Sequence, residues 1–129
     1  KSTEDHVFKI LGLHWAGMEK ETKAASNSLL ILQREDGGWA QLSEMKSDAY
    51  ATAQALTVLK QSGLLKPDSP QYKRGVAWLL KNQKPDGSWH VKTRSKPIQK
   101  YFESDFPHGK DQFISISATC WAVMALLPQ

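Results

Sequence analysis

The sequence predicts an all-α fold: an arc of alternating inner and outer helices, about two and a half helical hairpins long. Three observations carry that expectation. The stretch QREDGGW at 33–39 returns as QKPDGSW at 83–89, so Q-x-x-D-G-x-W occurs twice, every matched position shifted by 50. Segments that are apolar on all sides alternate with segments apolar along one stripe only. Clusters of β-branched residues, which would signal strands, are few between the turns.

Taken in order, the segment from Thr3 to Ala16 carries Val7, Phe8, Ile10, Leu11, Leu13 and Trp15 and is stopped by Gly17. It reads as a helix buried all round. Glu21 to Arg34 has one apolar stripe and one charged face. Ser47 to Ser62 is again apolar on every side; its first positive charge is Lys60. Ser47 is its expected N-cap, with Asp48 in the first turn and Gly63 as the stop. Ser69 to Lys84 is amphipathic: Tyr72, Val76, Leu79 and Leu80 follow helical spacing, and Lys73, Arg74 and Lys81 take the wet side. Asp68 or Ser69 caps it, with Pro70 in the first turn. Ile114 to Leu127 is likewise read as buried all round and holds no charged residue. This alternation implies two layers, inner helices and an outer wrap.

The repeated turn has a structural account. Gly37 and Gly87 are suited to the left-handed backbone that ends a helix. Asp36 and Asp86 favour a tight turn through side-chain bonds to nearby backbone. Trp39 and Trp89 are apolar plates that seal neighbouring hairpins. Gln33 and Gln83, expected in the last helical turn, have amides that can reach exposed backbone of an adjacent helix end. These eight residues are read as a stitch between successive helix pairs, not as a ligand site.

Composition narrows the classes. The 129 residues are one domain's worth and 40% hydrophobic, with a net charge of +4. Cys120 is the single cysteine, which rules out an internal disulfide and any cluster of thiolates. No apolar run is long enough to span a bilayer. The chain stops at Gln129 just after an apolar run and is expected to be a single repeat domain, 1–129, cut from a larger protein.

The residues Arg74-Gly75-x-x-Trp78-Leu79-Leu80-x-x-Gln83-x-x-x-Gly87-x-Trp89 resemble the QW repeat of squalene–hopene and oxidosqualene cyclases. That repeat belongs to the prenyltransferase and squalene oxidase repeat superfamily. The first copy matches from Leu29 through Gln33 to Trp39 but has Ser28 where an aromatic is usual. Thr52-Ala53-x-Ala55-Leu56 is similar to the family's inner helices and returns as Thr119-Cys120-x-Ala122-Val123. The resemblance covers nearly the whole chain and implies a partial α/α toroid. A tetratricopeptide-type solenoid fits badly, because its period is ~34 residues. Stand-alone repeat proteins of this kind are often bacterial and exported, which implies an exported or periplasmic location.

What the resemblance implies chemically can be tested residue by residue. The cyclases' acid motif, Asp-x-Asp-Asp, does not occur. The prenyltransferase zinc site takes Asp, Cys and His; Asp48 matches the Asp, but Tyr50 stands at the Cys position and Ala118 at the His position. No metal and no cofactor are therefore expected. The thioester motif Cys-Gly-Glu-Gln and the glycine-rich phosphate loop are absent too.

The informative difference lies between the two repeats. Thirteen residues lead from Trp39 to Thr52, but 30 lead from Trp89 to Thr119, an insert of 17. The stretch HVKTRSKPIQKYFESDFPHGKDQF, 90–113, is basic first, then aromatic and acidic. Its aromatics are expected to pack onto something. In relatives of known activity this end of the inner helices opens to the substrate. The candidate ligand-binding residues are therefore Asp48, Tyr50, Arg94, Tyr101, Asp105, His108, Lys110 and Asp111. Four basic side chains followed at once by acids do not suit nucleic acid, and no nucleic-acid partner is expected. The chain reads as a module that binds a ligand, isoprenoid or glycan, or a partner through this insert. The alternative is part of a diverged enzyme on isoprenoid or polysaccharide substrates, with catalytic residues elsewhere. Edge helices are expected to pack on missing repeats or on a second copy.

Overall fold

The computed structural model describes residues 1–128, and among these the regular structure is entirely helical. The helices are α1 (Thr3–Trp15), α2 (Glu19–Leu30), α3 (Ala49–Gln61), α4 (Pro70–Asn82) and α5 (Gln112–Leu126), the last entered through a single 3-10 turn at Gly109–Asp111. The chain forms a partial α/α toroid. Helices α1, α3 and α5 are the inner elements, α2 and α4 the outer ones, and α3 packs against all the others.

Local chemistry sets the ends. Ser2 and Asp5 exchange side-chain to backbone bonds in a capping box at the start of α1. Ser69 caps α4, with Pro70 just inside. The cap of α3 is Asp48, not Ser47: Asp48 Oδ1 accepts from Ala51 N–H at 3.0 Å, and Ser47 Oγ instead donates to Asp36 Oδ1. Gln33 and Gln83 lie just beyond their helices, because each amide folds back onto its own turn, donating to Gly37 O and Gly87 O at 2.9 Å. Likewise Gly37 and Gly87 shape the turn after the helix has ended, with φ of 91° and 87°.

Burial follows position in the arc. In α3 every residue from Ala51 to Lys60 is buried, as an element surrounded on all sides requires. The expectation of all-round burial fails for α1 and α5. Phe8 and Trp15 are exposed on α1, and Phe113, Val123 and Met124 on α5. Each of these helices has α3 on one flank and no inner helix among the described residues on the other. Close approach in the second layer comes from Gly75: a Cβ there would stand 2.7 Å from Leu56 Cδ2.

The two tryptophans of the repeated turn are equivalent. Trp39 Nε1 donates to Leu29 O and Trp89 Nε1 to Leu79 O, at 2.9 and 2.8 Å. Their backbone N–H groups donate to Thr52 Oγ1 and Thr119 Oγ1, at 2.9 and 3.1 Å. Each turn is thereby tied to its inner helix, and the 17-residue insert leaves the tie in place.

Candidate functional site

The N-terminal ends of the three inner helices gather at one end of the arc. Thr3 N–H donates to Gln41 O, joining α1 to the segment that leads into α3. Tyr50 OH, in the first turn of α3, donates to Glu4 Oε1 of α1 at 2.7 Å. Burial first, then the Glu4 carboxylate, pushes the Tyr50 phenol up to about 12. Asp48 Oδ2 is buried with no hydrogen-bond partner, and burial pushes this carboxyl above the usual aspartate value. Gln54, one turn deeper than Tyr50 and 1% exposed, has neither amide atom paired.

The insert is fastened over the start of α5 by buried polar groups. Asp111 Oδ2 lies 2.7 Å from His90 Nε2, and its Oδ1 accepts from Thr93 N–H. Burial alone would raise the Asp111 pKa, but these hydrogen bonds outweigh it, and the carboxyl sits below the usual range. Gln112, wholly buried, accepts from Ser104 N–H and donates to Phe102 O. Ser115 Oγ bridges Val91 N and O. Arg94 Nε donates to Gln41 Oε1, tying the insert back to the entry of α3.

At the base of the insert the His90 and His108 rings stack, 4.6 Å between centroids and 5° from parallel. His108 holds a left-handed backbone, φ 87°, unusual for a non-glycine residue. Ser88 Oγ gives its single proton to Asp86 Oδ1, so His108 must donate to Ser88 through Nε2–H. That order, with the serine in the middle and 5% exposed, is not a nucleophile activated by a base. Nor do two parallel rings present a common in-plane position to one metal ion. Among the described residues no cluster of three or more His, Cys, Asp or Glu has metal-binding geometry.

The candidate residues thus divide. His108 and Asp111 meet in one cluster with His90. Arg94 joins the α3 entry through Gln41. Asp48 and Tyr50 belong to the α1–α3 junction, and no hydrogen bond joins either to the insert. Tyr101 OH donates to Glu103, while Asp105 and Lys110 are exposed. The expected packing of the insert aromatics does not occur: Tyr101 is 61% and Phe102 70% exposed, and only Phe106 is half-buried, edge-on to His108. The polar anchors hold the backbone, so the rings are free to face solvent. Sequence reasoning missed Ser88, Gln41, Gln112 and Ser115, the groups that do this anchoring. Concavities of about 480 and 440 Å³ lie elsewhere, at the C-terminal ends of α1 and α3 and beside Trp78 on the outer face.

Alternating inner and outer helices, tied by a twice-used Gln-to-Trp turn, define an α/α-toroid repeat protein. Residues 4–129 match the family model of the squalene-hopene cyclase C-terminal domain, and the chain belongs to that family. It is also similar to lanosterol synthase of Candida albicans, 28% identical over 95 residues, which is 64% of this chain. The match spans 13% of that enzyme's length.

Proposed function

We propose that this chain is a binding module that holds an extended apolar ligand, isoprenoid in class, on the rim formed by segment 90–113. One observation carries the reading. Ile98, Tyr101, Phe102 and Phe113 are 96%, 61%, 70% and 55% exposed on a segment whose backbone is held at Thr93, Phe102 and Ser104 by partly buried hydrogen bonds. Large apolar side chains held outward by an ordered frame mark an interaction surface. An ordered frame also lowers the entropy lost when a ligand binds. The family and the lanosterol-making relative support an isoprenoid as the ligand.

A second reading rests on charge. Lys96, Lys100 and Lys110 are exposed around the same aromatics, a combination that suits an anionic glycan. As part of a larger enzyme, the same rim would contribute substrate contacts and not the reacting groups.

Titration with a fluorescent farnesyl probe, alongside a sulfated oligosaccharide, separates the readings. Saturable farnesyl binding is expected, weakened about tenfold when Tyr101 and Phe102 are both changed to Ser, a loss of about 1.4 kcal/mol. Oligosaccharide binding with a steep salt dependence, and none for farnesyl, would move the assignment to the glycan.

A further inference from the structure

Segment 90–113 contains a closed loop. Thr93 N–H donates to Asp111 Oδ1 and Phe102 O accepts from Gln112 Nε2, both at 2.9 Å. Two consecutive residues at the entry of α5 therefore hold both ends of the stretch 94–101, and its neck is narrow. Every residue from Arg94 to Phe102 is exposed. A loop closed at its ends presents its side chains outward as one set.

Two chemistries share that set. Lys92, Arg94, Lys96 and Lys100 are exposed, and no carboxylate occurs between Val91 and Phe102. Ile98 stands near the middle of the loop, with Tyr101 and Phe102 on the returning limb. Cations and apolar groups thus interleave on one short stretch.

The carboxylates around the loop are already engaged. Asp111 is taken by His90 and Thr93. Glu103 accepts from Tyr101 OH at 2.6 Å and from Asp105 N–H at 2.9 Å. Glu44, on the segment leading into α3, accepts from Ser43 Oγ at 3.0 Å. Its carboxyl lies below the usual value, first through hydrogen bonds to its own backbone and to Ser43 and then through the charge of Arg94. Arg94 does not pair with it: His90 with Asp111 is the single ion pair among the described residues.

Arg94 is the fixed cation of the set. Its Nε donates to Gln41 Oε1 at 2.9 Å, and Gln41 is 8% exposed. That tether sets the plane of the guanidinium, and its two terminal nitrogens bond to no described residue. A guanidinium grips a carboxylate or phosphate through two parallel bonds. A hydrocarbon chain alone would use the apolar side chains and leave the gathered cations unanswered.

We propose that the ligand of this rim is an acidic isoprenoid. A terminal oxyanion, carboxylate or phosphate, sits on Arg94 with Lys96 and Lys100 beside it, and the apolar chain runs over Ile98, Tyr101 and Phe102. The proposal rests on the isoprenoid reading above and adds the head group to it. Contact between exposed charges fades with salt, and contact with the chain does not.

Calorimetric titration of the intact chain with farnesoic acid, farnesyl monophosphate and the neutral alcohol farnesol, each below its aggregation concentration, tests this. At low salt both acids are expected to bind about tenfold more tightly than farnesol, a preference that shrinks in about 0.5 M salt. Whichever acid binds more tightly names the head group. Lys96→Gln with Lys100→Gln leaves the tie to Gln41 intact and should cut the preference about threefold, with farnesol unaffected. Arg94→Gln should cut it about fivefold; a purely structural role for Arg94 would instead weaken all three ligands alike. Equal affinity for farnesol and the acids overturns the proposal and leaves the isoprenoid reading standing. No binding of any of the three up to about 1 mM overturns both. Inorganic phosphate or acetate binding as tightly as the acids would show an anion site with no use for the chain, and overturns it too. So does binding only to vesicles of phosphatidylcholine and phosphatidylglycerol, which would assign the loop to a membrane surface.

Discussion

Lys60 on α3 closes the end of a helix to which it does not belong: its Nζ lies 2.8 Å from Leu127 O and 3.0 Å from Ala125 O at the C-terminal end of α5. The free carbonyls of a helix end carry partial negative charge, and a cation there is favourable. Tyr72 assists from α4, its OH donating to Ala125 O and its ring lying 5.7 Å from the ammonium. Burial lowers the Lys60 pKa, and these carbonyls supply the compensation. Lys60→Met keeps the stem and removes the donors. It is expected to cost about 1.5–3 kcal/mol in urea unfolding, as for hydrogen bonds to a charged group. A variant as stable as the parent would show the contact to be idle.

Trp89 is 2% exposed and bonded at both its indole and backbone N–H groups. Trp89→Ala should destabilise by about 3–5 kcal/mol, as for other buried aromatics. Lys96→Ala, on the exposed insert, should cost less than about 0.5 kcal/mol. Urea melts of the pair distinguish the stitch from the surface.

Asp48 caps α3 while one of its oxygens is buried without a partner. Its folded pKa is raised by burial above the usual aspartate value, so the ionised form is the penalised one. That penalty is absent below the unfolded pKa, grows as pH rises through the folded pKa, and is complete above it. Asn caps as well as Asp but carries no charge. Asp48→Asn should therefore gain up to about 1 kcal/mol at pH 7 and lose the advantage below pH 4. Denaturation midpoints across that range provide the check. A variant less stable than the parent at every pH would mean that the carboxylate has a partner.

Phe8 and Trp15 are 54% and 77% exposed on α1. Covering a few hundred Å² of such surface contributes several kcal/mol at ~25 cal/mol per Å², before association entropy is subtracted. The isolated chain is expected to self-associate at micromolar concentration through α1. Phe8→Glu with Trp15→Glu should return it to a monomer, and Asp86→Ala should have no effect. Light scattering that finds a monomer, with no binding of a hydrophobic dye, contradicts this.

The parts of the fold legible in the sequence are those set by short-range chemistry. The position of α4 follows from Ser69 and Pro70, and the equivalence of Thr52 and Thr119 follows from the repeat. What was not legible depends on neighbours. Phe8 and Trp15 sit in a run as apolar as that of α3, and they are exposed because no inner helix among the described residues packs on that flank. The insert aromatics face solvent for a related reason. Whether a loop ring packs inward depends on which groups hold its backbone, and those groups, Gln112 and Ser115, bond to residues 8 to 24 positions away. Nothing local marks such a pairing. The sequence singled out the segment bearing the candidate site, but not the way its side chains face.

The tie between Trp89 and Thr119 has a consequence for how this protein can change. It spans 30 residues where its twin spans 13, with the same donor and acceptor. By polymer statistics, closing the longer span costs only about 0.7 kcal/mol more. Frame and rim are therefore nearly independent variables. Residues can be added, deleted or exchanged in the exposed stretch 95–100 at little thermodynamic penalty, and what the rim recognises can diverge while the scaffold stays as it is.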